Sequence, residues 1–201
     1  MAAPRVWTFW VAALAAMALA GCASGPAPRD HYYRLETAAP ARLAKPVIPG
    51  AVEIDRVRVE AISQGRRMLY RDAANPGEIS QHAYHHWTNP PNVMLQEQLV
   101  TYLRVAGAAN QVVTPAVHVA TDYWVTGRLV RFERMLSGSG ASVVVEIELV
   151  LTRRSDDELL LLETYREERT TSGPGVSEAV NAYGAATTSI FERFVADIPR
   201  S

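Results

Sequence analysis

From residue 143 to residue 152 the chain has a period of two. Val143, Val145, Ile147, Leu149 and Leu151 fall on one parity, and Glu146, Glu148 and Thr152 fall on the other. Successive side chains of a strand point to opposite faces, so this stretch predicts a strand with one buried and one wet face. Residues 123–134 carry large side chains at both parities, which predicts a central strand covered on both sides. Residues 159–170 read as a third strand. Ser137-Gly138-Ser139-Gly140 and residues 155–158 are the turns, and the three strands form an antiparallel meander. Twice the period changes to that of a helix. Leu95, Leu99, Tyr102, Leu103 and Ala106 recur until Gly107 stops the run, behind an Asn89-Pro90-Pro91 start in which Asn89 is a cap candidate. Val176, Val180, Tyr183, Thr187, Ile190 and Phe194 mark a second amphipathic helix.

The first half of the folded region reads as shorter strands: 31–36, 51–60, 66–71, 79–87 and, after the first helix, 111–114. In 51–60 the apolar positions change phase, from Val52 and Ile54 to Val57 and Val59, which predicts a bulge near Asp55 and Arg56. Residues 38–50, with Pro40, Pro46 and Pro49, are a connection. Together the elements predict an α/β (α+β) domain: a mixed, largely antiparallel sheet with two amphipathic helices packed on one face.

A different pattern occupies the start of the chain. Arg5 precedes an apolar run over residues 6–20 that ends in Leu19-Ala20-Gly21-Cys22. The run is shorter than the roughly 20 residues a transmembrane helix needs, and it suits the core of a secretory signal behind a positive n-region. Leu-Ala-Gly-Cys resembles the bacterial lipobox, in which the cysteine receives a diacylglycerol, the signal is cut before it, and the new amino terminus takes an acyl chain such as palmitate. The expected organisation is a signal at 1–21, lipidated Cys22 with a Pro, Gly and Ser tether over 22–30, and a single domain over 31–201. Cys22 is the only cysteine, so the exported domain is held together by packing alone, without the disulfides that export otherwise permits.

Composition changes the picture little. About half the residues are hydrophobic, a fifth are charged and the formal net charge is -1, which is an ordinary globular mixture with no pull toward nucleic acid. The chain carries no phosphate-cradling glycine loop, no Gly-x-Ser-x-Gly elbow and no His-Glu-x-x-His. No catalytic residue and no cofactor are expected. His82, His85 and His86 are the one candidate metal cluster. On a regular strand His82 and His86 share a face with Tyr84 while His85 points away, so the three do not converge and no metal is expected. Tyr84, Trp87, Pro90 and Pro91 are the candidate partner-binding residues, with the two aromatics as interface anchors. The alternative for Trp87 is a place under the start of the first helix, whose entry angle the prolines fix.

Taken in order, several of these features carry a resemblance. The lipobox, Tyr32-Tyr33-Arg34-Leu35 soon after it, the Val57-Arg58-Val59 strand with residues 66–70 behind it, Trp87-Thr88-Asn89-Pro90-Pro91 leading into Leu95, Leu99 and Leu103, and the closing helix are similar to the ABC-type transport auxiliary lipoproteins, the PqiC-like proteins. The resemblance implies an outer-membrane lipoprotein facing the periplasm of a Gram-negative bacterium. Its partners would be the membrane, through Cys22, and a periplasmic MCE-type or ABC transporter component that moves lipids between membranes. A homo-oligomer is compatible with it. The alternatives are a regulatory lipoprotein touching a peptidoglycan synthase or an envelope assembly factor, and a direct lipid-binding carrier.

Overall fold

The computed structural model describes residues 28–138, 140–173 and 175–199. In chain order these form β1 (His31–Tyr33), β2 (Ile48–Ile54), β3 (Arg67–Asp72), β4 (Ser80–Trp87), α1 (Pro91–Ala106), β5 (Ala109–Val113), β6 (Tyr123–Ser137), β7 (Gly140–Arg153), β8 (Leu159–Thr170) and α2 (Val176–Asp197), with short 3-10 turns at Ala61–Gln64 and Pro115–Val117. The eight strands make a single mixed sheet.

β6 lies at its centre. Along one edge it pairs antiparallel with β7 over its full length, from Tyr123 opposite Arg153 to Ser137 opposite Gly140, and β7 pairs in the same sense with β8. This is the predicted meander. Along its other edge β6 meets two strands in succession. Val52, Glu53 and Ile54 of β2 run parallel to Tyr123, Trp124 and Val125, and residues 69–72 of β3 run parallel to 133–136. Between them Arg58 alone bridges Arg128. β5 flanks β2 in parallel, β4 flanks β3 antiparallel and β1 flanks β4 in parallel, so the sheet forks beyond β6. The two long pairings are thus antiparallel, and every parallel pairing is short. The phase change read near Asp55 is resolved as a break: β2 stops at Ile54, and the chain keeps only the bridge at Arg58 to β6 before returning as β3.

The register of β6 explains why its sequence carries bulk at both parities. Leu129 faces Ile147 but Arg131 faces Glu146, so one residue, Val130, is extra in β6. Val125 and Leu129 point to the core before the bulge, and Phe132 does so after it. On β7, Val143, Val145, Ile147, Leu149 and Leu151 are all buried, as their alternation predicts.

Both helices pack on the inner face and share one core with the sheet. They touch each other through Tyr102 and Phe191, whose ring centroids are 5.6 Å apart. Pro91 is the first residue of α1, where a missing N–H leaves no hydrogen bond unmade. The cap position belongs to Pro90, not Asn89. The Pro90 carbonyl accepts from the N–H groups of Val93 and Met94, at 3.0 and 3.1 Å. Gly107 closes α1 in the left-handed conformation, φ 63°, which glycine adopts without a Cβ penalty. On α2, Gly184 lets another part of the chain come close: a Cβ there would stand 2.3 Å from the Glu36 carbonyl oxygen.

Because Ile147 is buried at the centre of the sheet and Glu148 points outward toward Arg128, Ile147→Ala is expected to destabilise by about 2 to 5 kcal/mol. Glu148→Ala should change stability by less than about 0.5 kcal/mol. Chemical denaturation of the two variants separates these outcomes. Equal small losses would show that β7 does not pack as described.

Candidate functional site

The candidate partner edge lies where the chain enters the fold. β1 is only three residues long, in parallel register with β4: His31 opposite His85, Tyr32 opposite His86, Tyr33 opposite Trp87. Three short pairings are weak by themselves, but the next residues are strapped down. Leu35 is fully buried. Thr37 donates through its backbone N–H (3.0 Å) and its hydroxyl (2.9 Å) to Gln98 Oε1 on α1. The Ala38 N–H donates to Thr188 Oγ1 on α2 at 2.9 Å, and that hydroxyl donates to the Gly184 carbonyl at 2.8 Å. Any pull on the amino-terminal segment is therefore passed to both helices.

The four expected partner-binding residues divide. Trp87 is 1% exposed. Its ring centroid lies 5.3 Å from Phe132 of β6 and 5.3 Å from Tyr183 of α2, and those two are 4.5 Å apart. Rings at these separations form a core cluster, so Trp87 lies inside, with its ring partners on β6 and α2 and not at the start of α1 where the alternative puts it. Pro91 is buried as well. Of the four, Tyr84, 44% exposed, and the half-buried Pro90 are the ones that reach the outside.

The histidines do not follow the alternation expected of them. Arg67 faces His86 and Leu69 faces Gln81, so β4 carries extra residues between these pairs and bulges. The bulge brings His82 and His85 edge to face, with centroids 5.4 Å apart. His85 also stacks between neighbours from β1: His31 at 5.2 Å and Tyr33 at 5.8 Å, and the Tyr33 hydroxyl hydrogen-bonds His85 Nδ1 at 3.0 Å. Tyr70 of β3 packs against His82 at 4.6 Å. Among the described residues no three His, Cys, Asp or Glu side chains are grouped to hold a metal ion. Burial, reinforced by His85 and Arg134, pushes the His82 imidazole down to about 4. Burial is also the main cause that lowers His85, helped by His31, His86 and Arg134.

Sequence reasoning missed the most buried charge of the outer face. Glu133 is 3% exposed and accepts from Arg71 Nε at 3.3 Å, Arg71 Nη2 at 3.2 Å and Arg131 Nε at 2.6 Å. The spacing Arg131-x-Glu133 put two opposite charges on one strand face, but only the β3–β6 pairing adds the second arginine and closes the group. Its role is structural, since a buried carboxylate needs such partners. A depression lined by Ile48, Leu151, Leu160 and Ile198 measures about 110 Å³, small beside the roughly 300 Å³ at which ligand pockets begin. Among the described residues no helix is long and apolar enough to cross a membrane. Cys22 lies outside the described residues.

With the fold in view, comparison places the chain among envelope-associated lipoproteins that assist transport, which is not an enzyme family. Residues 33–195 match the family of ABC-type transport auxiliary lipoprotein components, and the chain belongs to that family. A comparison with curated proteins finds no match. Among solved structures, protein XCC0632 from Xanthomonas campestris has the same fold. It is 20% identical, with a TM-score of 0.73 over 82% of this chain and 92% of that one. An uncharacterised protein is 16% identical, with a TM-score of 0.66 over 85% of this chain and 99% of that one. A dodecameric PelC from Paraburkholderia phytofirmans is more distant, 12% identical at a TM-score of 0.45 over 75% of this chain and 91% of that one.

The histidine stack gives a pH dependence. An unfolded chain protonates His82 near pH 6.5, whereas the folded one resists until about 4. The unfolded state therefore binds the proton first as pH falls, and stability present above pH 6.5 declines progressively toward about pH 4. His82→Phe keeps a ring against Tyr70 and removes this proton. Thermal unfolding followed across that window should fall less steeply for the variant than for the natural chain; parallel curves would contradict the assignment.

Proposed function

We propose that this protein is an outer-membrane lipoprotein that serves as the auxiliary subunit of an ABC or MCE-type system moving lipids between the inner and outer membranes. What carries the reading is that the family match spans nearly all of the folded domain behind a leader that ends in Leu19-Ala20-Gly21-Cys22. Acyl chains on Cys22 hold the protein at the membrane, since two or more chains anchor stably where one does not. The tether of residues 22–30 sets the reach, and residues 31–201 act as a single docking domain.

The domain works by position and catalyses nothing. Its bulged β4 presents Tyr84, with Pro90 beside α1, to a periplasmic component of the transporter, while Trp87 and Pro91 hold that edge in shape from within. A transporter docked there delivers its lipid path to the membrane that Cys22 occupies.

The test is Tyr84→Ala in the full chain. An exposed residue removed in this way should alter stability by less than about 0.5 kcal/mol. Interface aromatics often contribute about 2 kcal/mol or more to binding, so co-purification with the cognate ABC permease or MCE-type protein should be lost. Undiminished co-purification would remove this edge from the transporter interface.

A further inference from the structure

We infer that the Tyr32, Arg66 and Arg67 end of the sheet is a contact surface for anionic phospholipid headgroups of the membrane that holds Cys22. The inference rests on the anchoring proposed above. Eight residues, 23–30, separate Cys22 from His31. Fully extended they span about 30 Å, and as a flexible coil about 16 Å. β1 is the first element of the described fold after Cys22 and lies within that reach of the anchor.

The side chains at that point match what a headgroup layer recognises. Tyr32 is 53% exposed. It stacks on His86 at 5.5 Å, and the Arg66 guanidinium lies over its ring, 5.6 Å from the centroid. The register puts Tyr32, His86 and Arg67 side by side on one face. Arg66 and Arg67 are both exposed, and neither has an ion-pair partner among the described residues. Arg128, Arg153, Arg154, Arg166 and Arg193 each reach a carboxylate; among the described residues Arg66 and Arg67 share their unpaired state with Arg34, Arg56 and Arg58, and differ from these in the ring that Arg66 covers. The acidic residues of the same hairpin, Asp72 and Glu78, are at its opposite end, around the turn after β3.

A guanidinium stacked on a ring keeps its in-plane donors for a phosphate, which it can bind in bidentate fashion. Tyrosine favours the same depth, with an apolar body and a polar tip at the membrane–water boundary. The acyl chains supply the affinity, and this surface supplies orientation: it turns one end of the β3–β4 hairpin to the bilayer.

The experiment uses the mature lipoprotein in vesicles, with a fluorophore on a single introduced cysteine. Gly65→Cys places it beside Arg66 and Gly77→Cys at the far turn; an added Cβ meets nothing within 4 Å at either position. A nitroxide lipid at headgroup depth is the quencher. In vesicles containing phosphatidylglycerol the label at 65 should be quenched more than that at 77. In phosphatidylcholine alone, or with Arg66→Gln and Arg67→Gln together, quenching at 65 should fall to the level at 77. The docked population should drop about thirtyfold, from about 1 kcal/mol per arginine at an anionic surface.

Equal quenching at both positions, or quenching at 65 that ignores lipid charge, overturns the inference. If the arginine pair variant is quenched as before but loses co-purification with the transporter protein, the edge belongs to that partner and the inference falls. Failure of the anchoring itself looks different: the protein does not float with the vesicles, and Cys22 takes up the label.

Discussion

β6 has to satisfy hydrogen-bond partners on both edges, and on one of them it has two different partners. The long antiparallel pairing with β7 fixes one edge from end to end, so β2 and β3 must share the other. A continuous strand there would keep a single parity. Instead the chain stops at Ile54, bridges once at Arg58 and returns as β3, while β6 takes up an extra residue at Val130. The change of phase turns Phe132 inward at the level where Trp87 and Tyr183 meet it. That aromatic contact ties β4, β6 and α2 together in a protein with no disulfide to do so. The fork in the sheet, the bulged β4 and the place of β1 all follow from how that one strand is shared.

Much of this was legible in the sequence, and the exceptions have physical causes. Val143, Val145, Ile147, Leu149 and Leu151 on β7, and Leu95, Leu99 and Leu103 on α1, could be read directly because each set follows a single period; Val144, buried on the parity read as wet, could not. Gly107 and Pro91 were legible because their backbone restrictions suit only helix ends. The cap was misread at Asn89: a side-chain capper is dispensable where the Pro90 carbonyl already takes two N–H groups. The histidines were misread because strict alternation was assumed through β4, and a bulge is a property of pairing with β3 that no local pattern encodes. The Glu133 group was invisible for the same reason. One of its three members, Arg71, arrives from another strand, 62 residues from Glu133 in the chain.

The same pairing that hides these features gives the candidate edge its form. β1 contributes little by itself, yet the strap through Thr37 and Ala38 couples it to both helices. The entry point of the chain is thus one of the better-braced parts of the domain. That suits the proposed role of holding a position between a membrane and a transporter, in which a lipid on Cys22 is the element from which the mechanism begins. Mass spectrometry of the mature amino terminus tests this most directly. The account predicts cleavage between Gly21 and Cys22, with a diacylglycerol on the sulfur and an acyl chain on the new amino group. A mature protein that starts elsewhere, or that carries Cys22 as an unmodified thiol, would contradict it.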